Sequence, residues 1–147
     1  MNIDKLYEEI EEILEKNKDA EKGFRKAADH TDSSALKNYF LQKAAKRKDF
    51  NTKLIGEIRT AYADFDESGS FTGTIHRAWM DVKALFSADD DESMLEESIR
   101  GDKAAIDEYD DVLEEASLSI GLRKLLTEQK AEIQMDLNKN KSLEDLV

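Results

Sequence analysis

Five polar residues interrupt the apolar stripes of an otherwise ordinary helical sequence: Asn17, Glu21, Arg47, Asp102 and Gln129. Continuing the spacing from Leu14 turns Asn17 and Glu21 inward before Phe24. Arg47 falls between Phe40 and Leu54, Asp102 between Leu95 and Tyr109, and Gln129, with Glu132 beside it, between Leu126 and Ile133. Residues three and four apart share a helix face, so each of four segments presents at least one polar group to a common interior. At one height they form a polar layer, and a buried charge there must be paired or bound to an ion. Two chemistries fit. One is a Glu21/Asp102–Arg47–Gln129 network closed by the guanidinium, and the other is a carboxylate metal site for iron or manganese using Glu21, Glu97, Asp102 and Glu132.

A di-iron carboxylate centre takes one Glu from each of two helices and a Glu-x-x-His from each of the other two. The two histidines are His30 and His76, and three positions before them stand Ala27 and Gly73. With neither motif present and an Arg aimed at the same space, the sequence favours the network over the metal.

Other candidates are weaker. Asp64-Phe65-Asp66-Glu67-Ser68-Gly69-Ser70-Phe71 matches a calcium loop at several positions, but the twelfth, where a bidentate carboxylate belongs, is Ile75. It reads as an acidic turn. His76 and Arg77 beside Trp79 read as a core-anchoring aromatic with a polar rim. Asp89-Asp90-Asp91-Glu92 reads as negative charge at a helix start, where the helix dipole favours it. No serine has a His–acid pair in view, and no glycine-rich phosphate loop follows a strand.

The positioning elements follow from periodicity. Apolar residues at three-and-four spacing predict helices over about 2–30 and 34–63, a shorter one over about 71–86, another over 90–116, and a last one from a Ser119 cap to about Asn138. Ser33 and Ser34 are suited to cap the second. No segment alternates with period two, so the fold class is all-α. Amphipathic helices of this kind need a shared core. Short links make 2–30 with 34–63, and 90–116 with the last helix, antiparallel pairs. The long link between the pairs, carrying the shorter fifth helix, predicts a ferritin-like four-helix bundle with one crossover.

Composition sets the outer limits. The chain has 147 residues, no Pro, no Cys and a formal charge of −12. That size suits one domain over 1–147, which can bury roughly 68–70% of its unfolded surface without disulfides or structural metal. The tail over 139–147 is expected to fray. Thiolate metal sites and cysteine nucleophiles are excluded. The acidic balance argues against nucleic acid, whose phosphates need clustered cations. The acidic start is no signal peptide, and no apolar run approaches the roughly 20 residues that span a bilayer, so the expected compartment is the cytoplasm. Charge is uneven: residues 36–60 carry seven bases and two acids, and 89–115 thirteen acids and two bases. This predicts a basic and an acidic edge on opposite corners, serving either as solvated faces or as docking surfaces for a second copy or a protein partner.

On these residues the chain resembles a bacterial ferritin-like four-helix-bundle family classed as a domain of unknown function. The likeness is carried by Lys18-Asp19-x-Glu21-x-Gly23-Phe24 with Ala27-Ala28, by Arg47 with Phe50 and Leu54, and by Ser70-Phe71-x-Gly73-x-x-His76-Arg77-x-Trp79-Met80-Asp81-x-Lys83. Arg100-Gly101-Asp102, Ala104-Ala105, Tyr109 and Gln129 complete it. The family pattern has Glu where this chain has Ile99 and Asp102, and Asp where it has Lys103, so acid is removed from the interior. The resemblance implies the bundle and no reaction. The function expected is therefore non-catalytic, a binding or structural role with no cofactor, and ferritin-like relatives suggest stress physiology by association. The alternative is a metal-binding ferritin-like protein or oxidoreductase with a carboxylate site.

Overall fold

A computed structural model describes residues 3–62 and 90–142, and all of that backbone outside the turns is helical. Helix α1 runs Ile3–His30, α2 Ser34–Ala61, α3 Asp91–Leu113 and α4 Ile120–Lys139. The shorter fifth helix expected over 71–86 falls outside the described residues.

The starts are fixed by side-chain caps. Ser33 Oγ accepts from the Leu36 amide (3.2 Å), Asp90 Oδ1 from Ser93 (2.8 Å) and Ser119 Oγ from Leu122 (3.2 Å), each satisfying an amide that the first helical turn leaves without a partner. Helix α3 stops three residues short of the expected 116. Its last turn carries Asp110 and Asp111 and no base, which opposes the helix dipole. The compensation comes from α4: Arg123 donates to the Leu113 and Glu115 carbonyls at 2.6 and 3.1 Å. Lys139 is helical, and the Asn140 amide closes the helix on the Asp136 carbonyl at 2.9 Å while its side chain is buried.

Packing places α1 beside α2 and α3, and α4 beside α2 and α3. Thr31 Oγ1 donates to Asp91 at 2.6 Å, so the end of α1 meets the start of α3. At the other end the Tyr62 hydroxyl donates to the Ser117 carbonyl (2.9 Å) and accepts from the Ser119 amide (2.8 Å). Neighbouring helices are thus antiparallel, while α2 and α3 run parallel on a diagonal. Gly121 allows close approach, because a Cβ there would collide with the Glu57 carboxylate of α2, which rests against the first turn of α4.

The core has two apolar parts. Leu6, Ile10, Leu54, Ile58, Val112 and Leu122 are among those filling the end near the α3–α4 turn. Phe24, Ala28, Leu36, Phe40 and Leu95 are among those filling the end near the α1–α2 turn. Between them lies a polar layer.

Candidate functional site

The layer is built across the α2–α3 diagonal. Lys43 and Arg47 stand four apart on α2, so they share one face, and both meet Asp102 of α3. Arg47 Nη2 donates to Asp102 Oδ1 at 2.8 Å, and Lys43 Nζ makes a direct ion pair with Asp102 Oδ2. Asp102 is 1% exposed and Arg47 5%. Each carboxylate oxygen therefore has its own cation. Arg47 Nη1 donates to Asn17 Oδ1 of α1 at 2.8 Å. Asn17 Nδ2 contacts Asn51 Oδ1 at 3.1 Å and the Tyr109 hydroxyl at 3.2 Å. The Tyr109 hydroxyl donates to Gln129 Oε1 of α4 (2.8 Å), and Gln129 Nε2 donates to the Phe50 carbonyl (3.2 Å). All four helices are joined by one chain of hydrogen bonds.

Aromatic rings complete the surroundings. Lys43 Nζ lies 5.1 Å from the centre of the Phe24 ring and 5.3 Å from that of Tyr39, and Arg47 Cζ lies 5.9 Å from Phe24. Ring faces are attractive to cations that have lost water. Two cations and one anion share the buried interior, and the second anion stands at the rim: Asp136 of α4 is 3.7 Å from Lys43 and 3.4 Å from Lys46.

Burial sets the protonation of the two phenols of the layer. Burial pushes the Tyr109 phenol up to about 12, with the Arg47 charge acting the other way. Burial and the charge of Asp102 push Tyr39 upward as well, against a hydrogen bond with Ser98 at 3.2 Å. Both phenols stay protonated at neutral pH, and neither can act as a base there.

The carboxylates named for a metal do not converge. Glu21 was expected in the inward layer, but it lies on the rim, its side chain 23% exposed and paired with Arg25 at 3.0 Å. The stripe passes over Ala20, which packs on the Phe24 cluster, instead of Glu21. Glu97 pairs with Arg100 on its own helix at 2.9 Å, and Glu132 is exposed. Among the described residues no three His, Asp or Glu stand together at metal-binding distance. The donor set therefore does not fit iron or manganese, because its one buried carboxylate has both oxygens held by cations. Asn17, Arg47, Asp102 and Gln129 do come together.

Lys43, Asn51 and Tyr109 were not singled out from the sequence as members of the layer. The signal for Lys43 was present: the series 36, 40, 43, 47, 50, 54 alternates four and three, and Ala44 beside it drew the stripe aside. The crossover motif Phe71, Gly73, His76, Arg77 and Trp79, and the calcium-like loop from Asp64, lie outside the described residues.

A family model described as Domain of unknown function (DUF2383) matches residues 5–115. The chain belongs to this family. Neither a curated protein nor a solved structure matches it. The DUF2383 match contains Asn17, Lys43, Arg47 and Asp102, and ends before α4, which adds Gln129 and Asp136.

Proposed function

We propose that this DUF2383 protein is a ferritin-like bundle without a metal centre, a non-catalytic binding or structural protein that acts through its surface in the cytoplasm. The ferritin-like assignment is supported by the helix order, with two antiparallel pairs whose inner helices α2 and α3 run parallel on a diagonal. The non-catalytic reading is supported by one observation above the rest: the only buried carboxylate found in the layer, Asp102, is held by Arg47 on one oxygen and Lys43 on the other. A cation coordinated there would have to displace a guanidinium or an ammonium and would leave it buried without its anion, which costs several kcal/mol. A role in stress physiology rests on likeness to ferritin-like proteins alone.

Elemental analysis tests the reading. Protein purified after growth in excess iron and manganese is expected to carry far less than one metal per chain. Stoichiometric metal that disappears in Glu21→Ala or Asp102→Ala would support the metal-binding alternative and overturn this one.

A further inference from the structure

Helix α1 is covered on a side that no other described helix occupies. It packs on α2 and α3, and the stripe it turns toward them includes Leu6, Ile10, Asn17 and Phe24. Glu11 points about 120° away from Asn17 around the helix axis, yet it is only 4% exposed. Asp19 points about 160° away from Asn17 and is still half-buried. Burial is the main cause that raises its carboxyl above the ordinary 3.8, and the charges acting on it, Glu15, Lys22 and Lys18, all belong to α1 itself.

The covered positions form a line. Tyr7, Glu11, Glu15, Asp19, Gly23 and Ala27 stand four apart and are buried or half-buried at every step, whereas Lys18, Lys22 and Lys26 in the row beside them are all exposed. Each step of four turns about 40°, so the line swings through about 200° from one flank of α1 to the other. Its start lies at the end of α2, where the Tyr7 ring meets that of Tyr62 edge-on with centroids 5.7 Å apart. Its far end lies near the start of α3, where Thr31 donates to Asp91. The line thus crosses the outer side of α1 between the two points that the chain must join.

Residues 1–2, 63–89 and 143–147 lie outside the described ones. Two residues span about 7 Å, and Glu11 is about 12 Å beyond Ile3 along the helix. The segment 143–147 leaves α4, diagonal to α1. Tyr109 meets Gln129 and Glu9 faces Glu115, which puts Lys141 and Glu11 about 24 Å apart along the bundle. Five extended residues span only about 17 Å. Residues 63–89 reach: even at 1.5 Å per residue they cover about 40 Å, against about 36 Å from Tyr7 to Thr31. Between 70 and 88 they carry Arg77 and Lys83 against the single acid Asp81, cations suited to the Glu11, Glu15 and Asp19 carboxylates, whose burial calls for a partner charge.

We propose that this line on α1 is the docking surface of residues 63–89 of the same chain. The proposal goes beyond a protein that acts through its surface: the outer side of α1 is closed by the chain itself, and a partner must be recognised elsewhere.

The chain has no Cys, so a single introduced thiol reports its own position. In the full-length protein, with circular dichroism confirming the helices, Glu11→Cys should react with a maleimide about tenfold or more slowly than Lys22→Cys. Equal rates would overturn the proposal. A photo-crosslinking p-benzoylphenylalanine in place of Glu15, which is half-buried, identifies the cover. Irradiation should give a product of monomer mass in which position 15 is joined to a peptide from 63–89. A product of dimer mass would assign the surface to a second copy, and a join to 143–147 would assign it to the tail. Either as the main product, or no cross-link at all, would overturn the proposal.

Discussion

Asp102 is the charge on which the interior depends, because without it Arg47 is stranded between apolar layers and Lys43 keeps only the rim carboxylate of Asp136, at 3.7 Å. Asp102→Asn keeps the volume and removes the charge, and it should destabilise the fold by about 3–5 kcal/mol in urea unfolding, the range for breaking a buried ion pair. Arg47→Ala should cost less, since Lys43 still neutralises the carboxylate. A cost for Asp102→Asn under about 1 kcal/mol would mean that the cations already reach solvent. Glu9 is the converse case. Burial and the neighbouring Glu115 raise its carboxyl above the ordinary 4.5, with Lys5 at 3.8 Å acting the other way. A carboxyl raised in the folded state takes up its proton more readily than in the unfolded chain. Its contribution to stability is therefore unfavourable above the folded pKa and vanishes below the unfolded one. Glu9→Gln should accordingly be more stable than wild type at pH 7, and the difference should close as pH falls below about 4.5. An unfolding difference independent of pH would refute this. At this scale Arg47 and Asp102 were readable, because long apolar stripes flank each of them. Glu21 was misplaced, since one residue of slip along α1 carries it from the core to the rim.

The helices were the most legible feature. Their apolar spacing is regular and their caps are Ser or Asp, so starts were placed within about a residue of Ile3, Ser34, Asp91 and Ile120. The end of α3 was not, because the acids that weaken its last turn and the Arg123 side chain that closes it belong to different helices. That contact is tertiary and has no local signature. Two glycines offer a test of the elements themselves. Gly56 in α2 and Gly101 in α3 are exposed and helical, and a methyl group at either would meet nothing within 4 Å. Each Gly→Ala change should stabilise the protein by about 0.5–1 kcal/mol, by removing backbone freedom from the unfolded chain. Destabilisation by either would mean that another surface packs closely over that helix in solution.

For the whole molecule, the polar layer links all four helices and sets their relative height: sliding α2 or α3 by a turn would separate Asp102 from both cations, and sliding α1 or α4 would break the Asn17–Arg47 or Tyr109–Gln129 contact. The pairing of α1 with α2 and of α3 with α4 was evident from short links, and the diagonal placement of α2 and α3 from the long one. The number of interior cations was not evident, and it changes both the core and the surface: each base turned inward is one fewer on the α2 side. The same count underlies the central claim, that organic cations and no metal neutralise the middle of the bundle. The most direct measurement is an anomalous difference map at the iron and manganese absorption edges, from crystals grown with both metals. The account predicts continuous guanidinium density joining Asn17 to Asp102 and no anomalous peak inside the bundle. A peak at coordination distance, roughly 2.0–2.2 Å from the Asp102 carboxylate, with Arg47 or Lys43 swung aside, would contradict it.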